Sequence, residues 1–71
     1  MGAGWYSVRS HRVGCQDARA VARRYWNKGA PDHVTVDGRR YACDYEQVGY
    51  ETLKAHCEAD SNRIVKFHFG S

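Results

Sequence analysis

The sequence predicts an α+β domain in which one helix packs on a small antiparallel sheet, in the order β-α-(β)-β-β-β. Three observations predict it. One stretch, and only one, carries apolar residues at helical spacing. The later stretches alternate apolar and polar residues, the period of a half-buried strand. The links between those later stretches are short and rich in turn residues, which joins them as an antiparallel meander.

Taken in order, Trp5 to Val13 is rich in β-forming residues and predicts a first strand that Gly14 interrupts. Gln16 to Lys28 predicts the helix: Cys15, Ala18, Val21, Ala22 and Tyr25 fall on one apolar stripe. Asp17 suits the positive end of the helix dipole, and Arg23, Arg24 and Lys28 suit the negative end. Gly29 is a good residue just past the helix, and Pro31 stops any continuation. His33 to Val36 is a short extended piece, and Asp37-Gly38 is a strong hairpin-turn signal. Arg39 to Glu46 reads as a strand with Tyr41, Cys43 and Tyr45 on one face and Arg40, Ala42, Asp44 and Glu46 on the other. A turn over Gln47–Tyr50 leads to a strand over Glu51–Glu58 with Leu53, Ala55 and Cys57 inward. Ala59–Asn62 is a turn by composition, and Arg63–Phe69 closes the sheet with Val65, Phe67 and Phe69 on one face. The helix is expected to cover the face holding Tyr41, Cys43, Leu53, Cys57 and Phe67. The predicted core comprises Tyr25, Tyr41, Leu53, Val65 and Phe67.

The length of 71 residues sets one domain, residues 1–71, with a structured core over 5–69. A chain of this size buries roughly 60% of its unfolded surface, so a covalent staple would add useful stability. With 42% hydrophobic and 27% charged residues the composition is globular, not disordered. No run approaches the ~18 apolar residues of a membrane span. The net charge of +3 permits contact with nucleic acid, anionic lipid or anionic wall polymer and demands none of them. Met1-Gly2-Ala3-Gly4 runs straight into Trp5 and Tyr6, so an exported form is expected to have had its signal removed or replaced. Tyr6 occupies the position where acylation of Gly2 needs Ser or Thr.

Three cysteines, Cys15, Cys43 and Cys57, are all expected to point inward and to converge on the layer between helix and sheet. One intramolecular disulfide is predicted among them. Cys43 and Cys57 lie on adjacent strands and are slightly favoured; the loop they close, about 15 residues, stabilises by roughly 3 kcal/mol in the chain-entropy account. Pairs between Cys15 and either of the others close longer loops and remain open. A zinc site drawn from His11, Cys15, Cys43, His56 and Cys57 has enough ligand types, but no C-x2-C or H-x3-H spacing, and His56 and Cys57 point to opposite faces of a strand. Cys15 at a helix N-terminus has the setting of a reactive thiolate, with His11 as its only nearby base; a buried structural cysteine is the plainer reading. No catalytic triad, Walker loop or dinucleotide fingerprint is present, and no cofactor is expected.

The helix offers the best candidate binding surface. Arg19 and Arg23 share one exposed row, and Arg24 and Lys28 share the next. With Trp26 on the flank and Arg39 and Arg40 across the turn, they form a candidate basic patch with an aromatic beside it, a composition that suits phosphate backbones and stacked bases. The plainer reading is a solvated helix face with favourable dipole placement.

Val13-Gly14-Cys15, followed by Ala18, Val21-Ala22-Arg23 and Tyr25, resembles the V-S/G-C-x-x-A-x-x-V-A-R opening of small exported actinobacterial domains. Tyr41-x-Cys43 is similar to their aromatic-x-Cys strand. His56-Cys57-Glu58 and Arg63-Ile64-Val65-Lys66-Phe67 are similar to their Cys strand and closing I/V-x-F strand. The resemblance spans about residues 5–69 and departs where Arg39-Arg40 replaces a Gly before the aromatic-x-Cys. Most such domains have no assigned function and often follow a signal peptide, so the resemblance implies the fold and a secreted or cell-envelope location; a phage-encoded, cytoplasmic relative would look the same. Together these readings predict a non-enzymatic binding module, exported or phage-derived, for a protein or an anionic polymer. The alternative is a cytosolic protein that binds nucleic acid or a host factor through the basic helix face.

Overall fold

The computed structural model describes residues 4–70. Residues 1–3 and 71, and with them the Gly2 that the sequence excludes as an acylation site, lie outside the described residues. The elements are β1 (Gly4–His11), α1 (Cys15–Asn27), β2 (His33–Val36), β3 (Arg39–Gly49), β4 (Thr52–Ala59) and β5 (Arg63–Gly70). The strands form one antiparallel sheet in the order β1-β5-β4-β3-β2. This is the predicted α+β architecture. Because β1 and β2 are consecutive in the chain but occupy opposite edges, α1 must carry the chain across one whole face of the sheet. That face becomes the core, and the other face is left open.

Local sequence sets the joints. Asp37 and Gly38 have φ of 57° and 76°, the paired left-handed conformation of a two-residue hairpin turn, and Val36 pairs directly with Arg39. At the end of α1 the Gly29 amide donates to the Trp26 carbonyl and the Ala30 amide to the Tyr25 carbonyl. With Gly29 at φ 73° this is a Schellman closure, and Pro31 follows it. At the other end the Ser10 hydroxyl donates to the Val13 carbonyl at 2.8 Å, and the Gly14 carbonyl accepts the first helical hydrogen bond from Ala18.

Under the helix, Val21, Ala22, Tyr25, Tyr41, Ala55, Cys57, Val65 and Phe67 are buried, with Ala18, Val34, Val36 and Phe69 completing the core. Tyr25 meets Phe67 and Phe69 edge-on, each at 5.3 Å between ring centroids. Cys43 and Cys57 are directly opposed on β3 and β4 and joined by a disulfide, the favoured pair.

Four expectations need correction. Cys15 does not point inward; it is exposed and its thiol is free. Helical side chains lean toward the N-terminus, so that of the first residue projects past the helix end instead of down onto the sheet. β1 ends at His11, two residues early, because Arg12 adopts φ 60° and turns the chain toward the helix. β3 runs on to Gly49, and the turn tightens to Tyr50-Glu51. A bulge absorbs Val48, and the Gln47 side-chain amide spans it by donating to the Gly49 carbonyl at 3.2 Å. Leu53 is only half-buried: it pairs with Gln47 and Phe69, at the end of the sheet where the helix stops.

Candidate functional site

Helical periodicity turns Ala18, Val21, Ala22 and Tyr25 onto the sheet and the opposite side of α1 to solvent. That outer side carries Gln16, Arg19, Arg23, Arg24, Asn27 and Lys28, all exposed, and no carboxylate. The acidic residue of the helix, Asp17, is half-buried in its first turn. Among the described residues the close contacts between basic and acidic side chains are His56 with Glu58 and Arg63 with Asp60, so none engages a helix cation. Four cations thus face water without a carboxylate partner.

The remaining members of the predicted patch are divided. Trp26 is half-buried, with its ring edge-on to Phe69 at 6.1 Å, so only its rim adds to the surface. On the same flank Arg19 borders a hollow with Trp5, Tyr6, Ser7, Val8 and Cys15. Arg39 and Arg40 are neighbours on a strand and point to opposite faces. Arg39 is half-buried, at a hollow it shares with Asp37, Gly38, Asp60, Arg63 and part of Arg40. The Arg40 guanidinium reaches Nδ1 of His33 at 3.4 Å, on the open face of the sheet. The helix therefore keeps Arg19, Arg23, Arg24 and Lys28 together, and Arg40 belongs to another surface.

That other surface was not singled out in the sequence. Strand alternation and the register place all four histidines on it: His11, His33, His56 and His68. They are interleaved with Arg9, Lys54 and Lys66 and with Asp44, Glu46 and Glu58. Tyr6 stacks on His68 at 5.5 Å. Nε2 of His56 lies 3.3 Å from Oε1 of Glu58 without hydrogen-bond alignment. The signal was present in the period-two spacing of His56 with Lys54 and of Lys66 with His68, but it needed strand order to bring them together.

The candidate reactive groups do not converge. Cys15 lines the hollow beside β1, whereas His11 lines a different one with Arg9, Ile64 and Lys66. Cys43 and Cys57, two of the five candidate zinc ligands, are consumed by the disulfide. Among the described residues no three of His, Cys, Asp and Glu cluster as a metal site. One buried phenol is perturbed: burial pushes Tyr25 up to about 12, and the neighbouring Tyr45 and Asp44 add to the shift. Its hydroxyl has no hydrogen-bond partner.

Comparison with family models, curated proteins and solved structures finds no match.

Proposed function

We propose that the chain is an exported, non-enzymatic binding module that recognises an anionic polymer, wall polymer or nucleic acid, through the outer face of α1. The observation that carries this reading is the uniform charge of that face: four exposed cations, Arg19, Arg23, Arg24 and Lys28, with no carboxylate among them and, among the described residues, no ion pair to any of them. Stability alone does not require such an arrangement, because only cations in the last helical turn gain from the dipole and Arg19 lies outside it. A polyanion releases counterions when its charges meet such a row, which gives affinity without deep pockets. The rim of Trp26 supplies an apolar contact beside the row. The disulfide between Cys43 and Cys57 is compatible with an oxidising, extracellular setting, and among the described residues no helix is long and apolar enough to cross a membrane.

The test is a set of titrations with mixed-sequence single- and double-stranded DNA and RNA and with a poly(glycerol phosphate), each at two salt concentrations. Affinity falls steeply with salt, and the Arg19→Ala/Arg23→Ala double variant flattens the slope by about two without moving the thermal midpoint. The preferred polymer separates a wall ligand from a nucleic acid. Absence of binding at low salt, where cationic surfaces are strongest, would remove this reading in favour of a protein partner.

A further inference from the structure

Apart from the helix face, the strand β3 presents a second exposed surface. It is eleven residues long, but its edge partner β2 has only four. Pairing with β2 covers Arg39 to Ala42, and the last bond on that side runs from the Cys43 amide to the Asp32 carbonyl at 2.7 Å. Beyond it, residues 44–49 are all exposed. Backbone polarity along this stretch follows from two observations. The Cys43 amide points away from β4, and Cys43 and Cys57 stand only 4.0 Å apart at Cα, the close spacing of a pair that exchanges no backbone hydrogen bonds. By alternation the amides and carbonyls of Tyr45 and Gln47 also point away from β4, toward the position a longer β2 would occupy. Among the described residues nothing bonds to the amides there.

Sheet edges of this kind accept another strand unless something blocks them. The opposite edge of this sheet is blocked: β1 carries a bulge between Tyr6 and Arg9 with Ser7 at φ 55°. The β3 edge has no bulge until Val48 and no proline or lysine. Its charged side chains are Asp44 and Glu46, which flank the free backbone groups on the open face and take part in no ion pair among the described residues. These carboxylates argue against a second copy as the occupant. A two-fold antiparallel pairing here would set Glu46 against Glu46, or Asp44 against Glu46, and like charges directly opposed destabilise.

We propose that the edge of β3 from Asp44 to Gln47 binds an extended basic peptide segment by strand addition, with alternate Lys or Arg side chains opposite Asp44 and Glu46. Tyr45, which is 54% exposed, provides the apolar contact for the intervening residues on the other face. This goes beyond the polyanion reading and uses a different surface, so either can fail alone.

The test uses the oxidised full chain and a synthetic five-residue probe of alternating Lys and Thr, acetylated and amidated. Its controls are the same peptide with Glu for Lys, and one N-methylated at the residues expected to donate to β3. Binding protects the amides of Tyr45 and Gln47 from hydrogen exchange and leaves those of α1 unchanged. N-methylation abolishes binding, and Asp44→Lys with Glu46→Lys weakens it by about tenfold. Undiminished binding of the N-methylated peptide would overturn the proposal, as would no binding of the Lys probe at low salt, equal binding of the Glu peptide, or protection at Tyr45 that arises from self-association.

Discussion

The two faces of the sheet are built from alternate residues of the same strands, yet they do different work. Along β5, Val65, Phe67 and Phe69 are buried beneath α1, while Lys66 and His68 between them stand on the open face. The covered face holds the core and the disulfide. The open face holds all four histidines and seven charged residues of both signs, Arg40 among them, in arrangements that do little for stability. The lesson is that stability is confined to one side of a thin molecule, so the outer side of α1, the open face and the β3 edge are free to carry recognition.

The largest effect expected from this division is the contrast between neighbours. Phe67→Ala costs about 3–5 kcal/mol, enough to unfold so small a domain, whereas Lys66→Ala costs under about 0.5 kcal/mol. Urea denaturation of the two variants measures it, and equal costs would mean that the covered and open faces are not distinct. Next comes the staple. Replacing Cys43 and Cys57 together by Ala removes about 3 kcal/mol by the loop-closure account. The same pairing predicts a single alkylated cysteine, Cys15, in protein labelled without reductant. Three labelled cysteines would break that part of the description.

A third effect sits under the helix and appears only at high pH. The folded state holds the Tyr25 proton up to about 12, above its ordinary value of 10. Between those values the unfolded chain has lost a proton that the folded chain keeps. Stability is therefore complete below pH 10 and falls as pH rises, by about 1.4 kcal/mol per unit and 2–3 kcal/mol in all. Tyr25→Phe removes this contribution. It costs little at neutral pH, because the hydroxyl it deletes has no partner. A Tyr25→Phe chain as alkali-sensitive as the parent would show that this phenol is not the group responsible. The smallest effect belongs to the helix surface: Arg19→Ala and Arg23→Ala each shift stability by less than about 0.5 kcal/mol in thermal unfolding.

Much of this division was legible in the sequence because periodicity reports faces directly. The stripe from Ala18 to Tyr25 and the alternation from Val65 to Phe69 fixed which side chains meet. Asp37-Gly38 and Gly29 announced their turns by the backbone conformations they allow. What periodicity does not report is extent and order. Cys15 fits the stripe but sits at its first residue, where a side chain has no preceding turn to lean on. Leu53 and Tyr45 have inward parity, yet the helix ends before it covers them. The histidine-rich face and the unpaired β3 edge depend on which strands are neighbours and how long each is, and neither follows from composition. The helix cations were legible because one element carries them all; Arg40 was misjoined to them because adjacent strand residues face opposite ways.

Recognition of a polyanion by the outer side of α1, as proposed, has a direct spectroscopic signature. Backbone amide shifts during titration with a short polyphosphate at low salt test it most directly. Shifts are expected to concentrate at Arg19, Arg23, Arg24 and Lys28 and at the Trp26 indole, and to vanish in high salt. Shifts centred instead on Arg9, Lys54 and Lys66 of the open sheet face would contradict it.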